Sequence, residues 1–243
     1  MENFQIYRDI QARTGGDIYI GVVGPVRTGK STFIRRFMEI AALPQMSERK
    51  QAEIRDQLPL SGSGKIITTV EPKFIPKEAV SVSLGTEQKV RVRLIDCVGY
   101  MIDGAAGHME EDAERMVKTP WSEEEIPFTQ AAEIGTDKVM RDHSTIGLVI
   151  TTDGSIGELP RSNYLGAEEK TILALKKSGK PFLVLVNSQK PYSEETRQVA
   201  EEIGKKYDVA VMPVNCEQLK KEDINRLLEK ILYEFPLTAV EFY

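Results

Sequence analysis

The sequence predicts an α/β domain built on a mostly parallel sheet with helices on both faces. Two observations indicate this class: three strand–helix repeats in the second half of the chain, and a glycine-rich loop between a strand and a helix near its start. Alternation of strands and helices is typical of parallel sheets covered on both sides. The three repeats comprise predicted strands at 145–151, 181–187 and 209–214, followed by predicted helices at 167–177, 194–207 and 221–233.

The first half of the chain adds further elements to this sheet. An apolar run at 18–23 predicts the first strand, and the apolar positions of 32–42 recur at helical spacing. The runs 73–84 and 89–95 are rich in β-formers and are joined by the short segment 85–88, which predicts a hairpin. The hairpin adds one antiparallel strand to the otherwise parallel sheet.

The glycine-rich octet 24–31 is the most informative motif. It lies between the first predicted strand and a predicted helix, which is the context that a phosphate-binding P-loop requires. In such a loop successive N–H groups point inward at a helix N-terminus, the lysine reaches the β- and γ-phosphates, and the last hydroxyl binds Mg²⁺. We therefore expect a nucleoside triphosphate ligand. The predicted contacts are Gly24, Pro25, Val26, Arg27, Thr28, Gly29, Lys30, Ser31 and Thr32.

A second motif, Asp-Cys-Val-Gly at 96–99, follows the predicted strand 89–95. It matches the DxxG arrangement, in which the aspartate supports Mg²⁺ and the glycine N–H meets the γ-phosphate. The sequence therefore predicts Asp96 as a metal ligand beside Ser31, and Gly99 as a nucleotide contact. Tyr100 stands where many GTPases carry a water-positioning glutamine, so we expect slow turnover.

Thr68 and Thr69 follow the glycine- and serine-rich segment 61–64. A threonine on such a loop can close over the nucleotide, with its hydroxyl on Mg²⁺ and its N–H on the γ-phosphate. Two questions stay open: which threonine acts, and whether both merely enter a strand. Arg27 either supplies a cation to the phosphates or faces solvent. The candidate catalytic residues are Lys30, Asp96, Thr68, Thr69 and Arg27, and the candidate metal ligands are Ser31, Asp96 and Thr69.

The segment 187–190, Asn-Ser-Gln-Lys, ends a predicted strand where switch GTPases carry NKxD. Asn187 is retained, but Ser188 replaces the lysine and Lys190 replaces the guanine-binding aspartate. An ammonium facing guanine would leave buried donors unpaired, which weakens binding. The sequence therefore predicts an adenine site formed by Asn187, Ser188 and Lys190, with ATP and Mg²⁺ as the expected ligands.

Composition limits the class of protein. The chain has 243 residues, 41% of them hydrophobic, and a net charge of −5 with interspersed signs, so nucleic acid is not an expected partner. Cys97 and Cys216 lack the spacing of metal ligands and are predicted to be reduced structural thiols in a cytosolic protein. No apolar run approaches the roughly 18 residues of a membrane-spanning helix, and no secretion signal is evident. Membrane association is expected only at the surface, through a partner or a missing segment.

One domain is predicted for 1–243, with two excursions from regular alternation. The first is a switch-like loop at 43–72, within which 47–58 is expected to contain a helix. The second is an irregular insertion at 100–128. The apolar tail at 236–243 predicts either a piece of a longer protein or a tail that pairs with a sheet edge.

Six segments distributed over nearly the entire chain carry a resemblance. They are GVVGPVRTGKSTFIRRFME, TTVEPKFIP, RLIDCVGY, TPWSEEEIPFTQAAEIGTDKV, STIGLVITTDGSIGELPRS and LVNSQKPY. Together they resemble the N-terminal ATPase region of the stage IV sporulation protein A family. This resemblance implies a P-loop domain of the translation-factor-related GTPase type that has turned to ATP. Lys30, Asp96 and the pair Thr68–Thr69 match the family's Walker A lysine, Walker B aspartate and sensor threonines.

The resemblance also implies a function, namely that of a morphogenetic ATPase of endospore-forming bacteria. Members polymerise irreversibly on the forespore surface, within the mother-cell cytoplasm, and form the basement layer of the spore coat. Implied partners are other copies, the small amphipathic membrane peptide stage V sporulation protein M, and other coat proteins. Members are longer, with further domains after the ATPase region. Two alternatives stay open: a switch GTPase of the translation-factor class, and a structural module that binds nucleotide without turnover.

Overall fold

A six-stranded sheet organises the fold. The computed structural model describes residues 16–59, 70–84, 88–105, 108–110 and 113–234. The sheet contains β1 (Asp17–Val23), β2 (Lys73–Leu84), β3 (Gln88–Asp96), β8 (Ile146–Thr152), β9 (Phe182–Asn187) and β10 (Val211–Val214). The strand order is β10-β9-β8-β1-β3-β2, and every neighbouring pair is parallel except β2 with β3. The predicted sheet, with its one antiparallel strand, is confirmed.

Helices lie on both faces of this sheet. Two of them continue into a π-helical turn, at Met38–Ala42 and at Val139–His143. The helices are α1 (Lys30–Phe37), α2 (Glu48–Arg55), α3 (Phe128–Lys138), α4 (Leu165–Ser178), α5 (Glu194–Tyr207) and α6 (Lys221–Tyr233).

The alternation of side chains along the strands explains the three layers. Successive residues of a strand point to opposite faces, and β8 and β9 are buried on both. Leu183 and Leu185 of β9 pack in a core shared with α1 and α6, whereas Val184 and Val186 pack in a second core shared with α4 and α5. The sequence therefore requires helices on each side, and the predicted three-layer α/β class is confirmed.

The segment after β3 differs from its prediction. The insertion expected to be irregular at 100–128 contains two small antiparallel sheets. Its strands are β4 (Met109–Glu110), β5 (Ala113–Glu114), β6 (Met116–Thr119) and β7 (Ser122–Pro127). They escape detection because β4 and β5 have two residues each and because β7 carries consecutive glutamates rather than an apolar alternation.

Some predictions fall outside the described residues. These include Thr68 and Thr69, the whole glycine- and serine-rich segment 61–64, residues 85–87 of the predicted connection 85–88, and the tail 236–243. The helix expected within 47–58 is present as α2. None of the helices in the described part of the chain combines the length and the apolar character that crossing a membrane requires.

Candidate nucleotide-binding site

The candidate site lies at the carboxyl edge of the sheet, where ligands bind in open α/β folds. Residues 24–29 connect β1 to α1, and Gly29 is the N-cap of α1 with a φ of 93°. A Cβ at Gly29 would lie 2.4 Å from Nδ2 of Asn187 at the end of β9. Only glycine fits this position, so the loop passes directly against the carboxyl end of β9, which lies two strands away from β1 in the sheet.

Lys30 is held inside this loop. Its side chain is 5% exposed, and Nζ donates to the carbonyl oxygens of Pro25 at 2.6 Å and Gly24 at 3.4 Å. Burial lowers the pKa of Lys30, while nearby Asp96 acts in the opposite direction. An ammonium has three N–H donors, so one remains for an anion after these two contacts within the described residues.

Ser31 and Asp96 form the second part of the site. The Ser31 hydroxyl donates to Oδ2 of Asp96 at 3.1 Å. The other carboxylate oxygen, Oδ1, is buried and has no hydrogen-bond partner among the described residues. Burial raises the pKa of Asp96, and the positive charge of Lys30 partly offsets this effect. Because Mg²⁺ takes one or two protein oxygens and keeps several waters, this hydroxyl–carboxylate pair fits that ion.

The DxxG segment is joined to the P-loop by backbone hydrogen bonds. Tyr100 N donates to Gly24 O at 3.2 Å, and Val26 N donates to Tyr100 O at 2.9 Å. Gly99 has a φ of 95°, and a Cβ there would lie 2.1 Å from Gly24 O and 2.7 Å from Lys30 Nζ. The two predicted motifs therefore meet at Lys30.

The side chain of Tyr100 is engaged elsewhere. It is 2% exposed, and its hydroxyl donates to a carboxylate oxygen of Asp137 in α3. Lys170 of α4 lies over its ring, with Nζ 4.6 Å from the centroid. Burial is the main cause that raises the pKa of Tyr100. The phenol thus connects the DxxG segment to α3.

Asn187 connects two loops at the site. Its Nδ2 donates to Thr28 O at 2.9 Å, and its Oδ1 accepts from Cys216 N at 2.9 Å. The side chain is 3% exposed. These contacts hold the P-loop against the loop after β10 and use both ends of the amide.

Ser188 and Lys190 occupy different environments. Ser188 is fully buried, and its hydroxyl accepts from Lys190 N at 2.9 Å. Lys190 is exposed and borders a cavity of about 410 Å³. The sequence predictions did not include the other residues of that cavity. Their position after β9 and β10 could have indicated them, because ligands bind at the carboxyl ends of strands. They include Tyr192, Asn215, Gln218 and Lys220.

The remaining predicted P-loop residues lie around these contacts. Thr28 is fully buried and donates from Oγ1 to Pro25 O at 3.0 Å. Arg27 is exposed and has a φ of 61°, so it sits at the outer bend of the loop. Val26 is buried, and Thr32 is half-buried in the first turn of α1. The structure thus brings the predicted P-loop, Asp96, Gly99 and Asn187 together.

The fold and this arrangement define a P-loop nucleoside-triphosphatase domain in which residues 187–190 depart from the guanine-binding NKxD pattern. A family model described as "Stage IV sporulation protein A, ATPase domain" matches residues 1–236. The chain belongs to the stage IV sporulation protein A family and corresponds to its ATPase domain. The family resemblance and the ATPase assignment are thereby confirmed.

Curated relatives agree with this membership. Stage IV sporulation protein A of Bacillus subtilis (strain 168) is 52% identical over 241 residues, which cover 99% of this chain and 49% of that protein. The Bacillus anthracis protein is 49% identical over 243 residues, with the same coverage. The Clostridioides difficile (strain 630) protein is 52% identical over 239 residues, which cover 98% of this chain and 49% of that protein. The chain spans about half the length of the curated relatives it matches.

Two solved structures of SsGBP, each a single-substitution variant, are also similar to this chain. Both have a TM-score of 0.49 and 13% sequence identity. They cover 96% of this chain, and the alignments span 60% and 62% of the SsGBP chains.

Proposed function

We propose that this chain hydrolyses ATP with Mg²⁺ at the P-loop and that hydrolysis drives assembly of the basement layer of the endospore coat. The observation that carries the site is the Ser31–Asp96 pair beside Lys30. Its buried, unpartnered carboxylate oxygen has the chemistry of a divalent-cation ligand. Family membership supplies ATP as the nucleotide.

Each residue of the site has a distinct role in this proposal. The Lys30 ammonium and the backbone N–H groups at the N-terminus of α1 bind the phosphates, and the Gly99 N–H meets the γ-phosphate. Ser31 and Asp96 hold Mg²⁺, with Thr69 as a third ligand. Mg²⁺ supplies neutralisation of the charge on the phosphate oxygens. The loop around the nucleotide is completed by Gly24, Pro25, Val26 and Thr28, with Thr32 in the first turn of α1.

The base-facing residues favour adenine. Lys190 presents a cation where a guanine site needs an acceptor, and the buried Asn187 and Ser188 position the surrounding loops. A guanine bound there would lose the hydrogen bonds of its donors. This is the observation that disfavours a switch GTPase.

We propose that hydrolysis is slow and coupled to assembly, and the DxxG segment supports the slow rate. The Tyr100 hydroxyl bonds to Asp137, so it does not take the water-positioning role of the GTPase glutamine. We propose that Thr68 and Thr69 sense the γ-phosphate, and that Arg27 at the outer bend contributes a cation.

The cellular role extends beyond the ATPase domain. The relatives are named for sporulation and are about twice the length of this chain. We propose one domain over 1–243 within a longer protein that polymerises on the forespore surface in the mother-cell cytoplasm. Its proposed partners are other copies, stage V sporulation protein M and other coat proteins.

The test is sedimentation of polymer formed by this chain and by a full-length relative. Each is incubated with ATP, with a non-hydrolysable ATP analogue, or without nucleotide, and Asp96→Asn serves as the matched variant. Of the three conditions, we expect only ATP to give pelletable polymer of the full-length protein. The full-length protein with the substitution equivalent to Asp96→Asn should remain in the supernatant. Equal polymer with the analogue would contradict coupling to hydrolysis.

A further inference from the structure

Asp153 lies in the loop after β8, next to residues 188–190, which follow β9 and form the proposed base-facing segment. Its Oδ1 accepts hydrogen bonds from Ser155 N at 2.9 Å and Ser155 Oγ at 2.6 Å, and its Oδ2 accepts from Thr196 Oγ1 at 2.7 Å. Burial alone would raise the pKa of Asp153, but the donors around it, those of Ser155 first, leave the pKa below its ordinary value. The group is therefore an acceptor-only carboxylate.

The first relay to this carboxylate begins at Gln189. The Gln189 N–H donates to Ser155 Oγ at 2.9 Å. A hydroxyl has one hydrogen. Ser155 Oγ donates its own hydrogen to Asp153 Oδ1 at 2.6 Å, which is a much shorter contact than that to its other acceptor, Ser188 Oγ at 3.4 Å. One backbone N–H of the base-facing segment is thus tied to Asp153 through a single hydroxyl.

The second relay begins at the next residue. The Lys190 N–H donates to Ser188 Oγ at 2.9 Å, and Ser188 Oγ lies 3.0 Å from Thr196 Oγ1. Thr196 Oγ1 donates to Asp153 at 2.7 Å, which is shorter than its contact with Lys190 O at 3.1 Å. Ser188 is fully buried and Thr196 is 1% exposed. Chains of hydrogen bonds that end on a charge strengthen one another in a buried environment. Two consecutive backbone amides, those of Gln189 and Lys190, therefore depend on one carboxylate.

We propose that Asp153, acting through Ser155 and Thr196, is the positioning residue that fixes the backbone of residues 188–190 and thereby sets the base preference of the nucleotide site. This inference rests on the proposed function, because it concerns the base bound at the same site. The carboxylate does not touch the base; it holds Lys190 at the rim of the neighbouring cavity. If the backbone of residues 188–190 were not fixed, the Lys190 ammonium could move away from a bound guanine. Guanine would then no longer be excluded.

The test measures binding of non-hydrolysable ATP and GTP analogues by titration calorimetry. The variants are Ser155→Ala, Thr196→Val and Asp153→Ala, with Thr196→Ser as the conservative rescue. The matched control is Thr171→Val, since Thr171 is a fully buried helical threonine that donates only locally, to Ala167 O at 2.7 Å. Thermal unfolding of every variant is recorded beside binding.

We expect Thr196→Val and Asp153→Ala to lower the ATP-to-GTP affinity ratio about tenfold, which corresponds to about 1.4 kcal/mol. Thr196→Ser should restore the ratio and Thr171→Val should leave it unchanged. Ser155 is only half-buried, so Ser155→Ala should disturb folding less than a substitution of the buried Thr196. It therefore tests the first relay even if Thr196→Val does not fold. Lower melting temperatures with an unchanged ratio in Ser155→Ala and Thr196→Val would overturn the proposal.

The readout separates this inference from the proposed hydrolysis. A wild-type chain that prefers the ATP analogue but never turns ATP over would contradict the proposed function, and the variant ratios would still decide the role of Asp153. A wild-type chain with equal affinity for both analogues would overturn the role of Asp153 itself.

Discussion

Gly99→Ala is the substitution that most directly probes the contact between the DxxG segment and the P-loop lysine. The added Cβ would lie 2.1 Å from Gly24 O, against 3.4 Å for ordinary van der Waals contact, so about 1.3 Å of displacement is required. The same Cβ would lie 2.7 Å from Lys30 Nζ. Since the φ of Gly99 is 95°, an alanine there also carries backbone strain of about 1–2 kcal/mol. The substitution therefore moves the lysine as well as straining the turn.

Gly179→Ala is the matched control for Gly99→Ala. Gly179 also has a positive φ, 68°, but nothing lies within 4 Å of the Cβ that would be added. It should lose only about 1–2 kcal/mol of unfolding free energy. Gly99→Ala should lose about 1–3 kcal/mol more, because it is overpacked.

The assays are urea denaturation and steady-state ATP hydrolysis in saturating Mg²⁺. Gly179→Ala should keep wild-type hydrolysis. Gly99→Ala should lose about a hundredfold, because a shift of about 1 Å in a phosphate-binding group has an effect of that size. A folded Gly99→Ala protein that hydrolyses ATP at the wild-type rate would refute a functional role for the contact of Gly99 with Gly24 and Lys30.

Three further predictions follow from the site. Asp96→Asn should keep the fold but lose the dependence of nucleotide affinity on Mg²⁺, measured by titration with and without a chelator; an unchanged dependence would place the metal elsewhere. Thr68→Ala and Thr69→Ala should spare ATP binding and lower turnover, and normal turnover in both would move the sensor role to another residue. Burial raises the pKa of Cys97 to about 11, so its thiolate fraction at pH 8 is about 0.1%, against roughly a quarter for an ordinary thiol. Alkylation of native protein at pH 8 should be at least about 100-fold slower than in urea, and equal rates would contradict the buried placement.

The sequence predicts the elements of the sheet because local periodicity determines them. The buried strands of the second half are apolar runs, and each is followed by a segment at helical spacing, so local signals suffice there. The insertion is different, since its two-residue strands and the glutamate-rich strand Ser122–Pro127 carry no alternation. Pairing of β6 with β7 depends instead on the chain reversal and on the packing of Val117 and Ile126 against α3.

The P-loop and Asp96 are likewise predictable, because their spacing and flanking elements are local. The contacts that connect the motifs are not. Asn187 meets Thr28 across 159 positions, and Tyr100 meets Asp137 across 37. Asp153 resembles an ordinary turn residue, and only the folded arrangement brings it to Thr196 at the start of α5. Long-range polar partners of this kind leave no periodic signal in the sequence.

The central claim is that this P-loop hydrolyses ATP in preference to GTP. Its most direct test is phosphate release from ATP and from GTP, measured side by side for the wild-type chain and for Lys30→Ala. Among the described residues, the Lys30 ammonium is the only one that contacts the P-loop carbonyls. Its removal therefore takes away the positive charge that compensates the phosphates. We predict slow ATP hydrolysis by the wild type, less with GTP, and none with Lys30→Ala. Faster GTP hydrolysis, or wild-type ATP turnover by Lys30→Ala, would contradict the account.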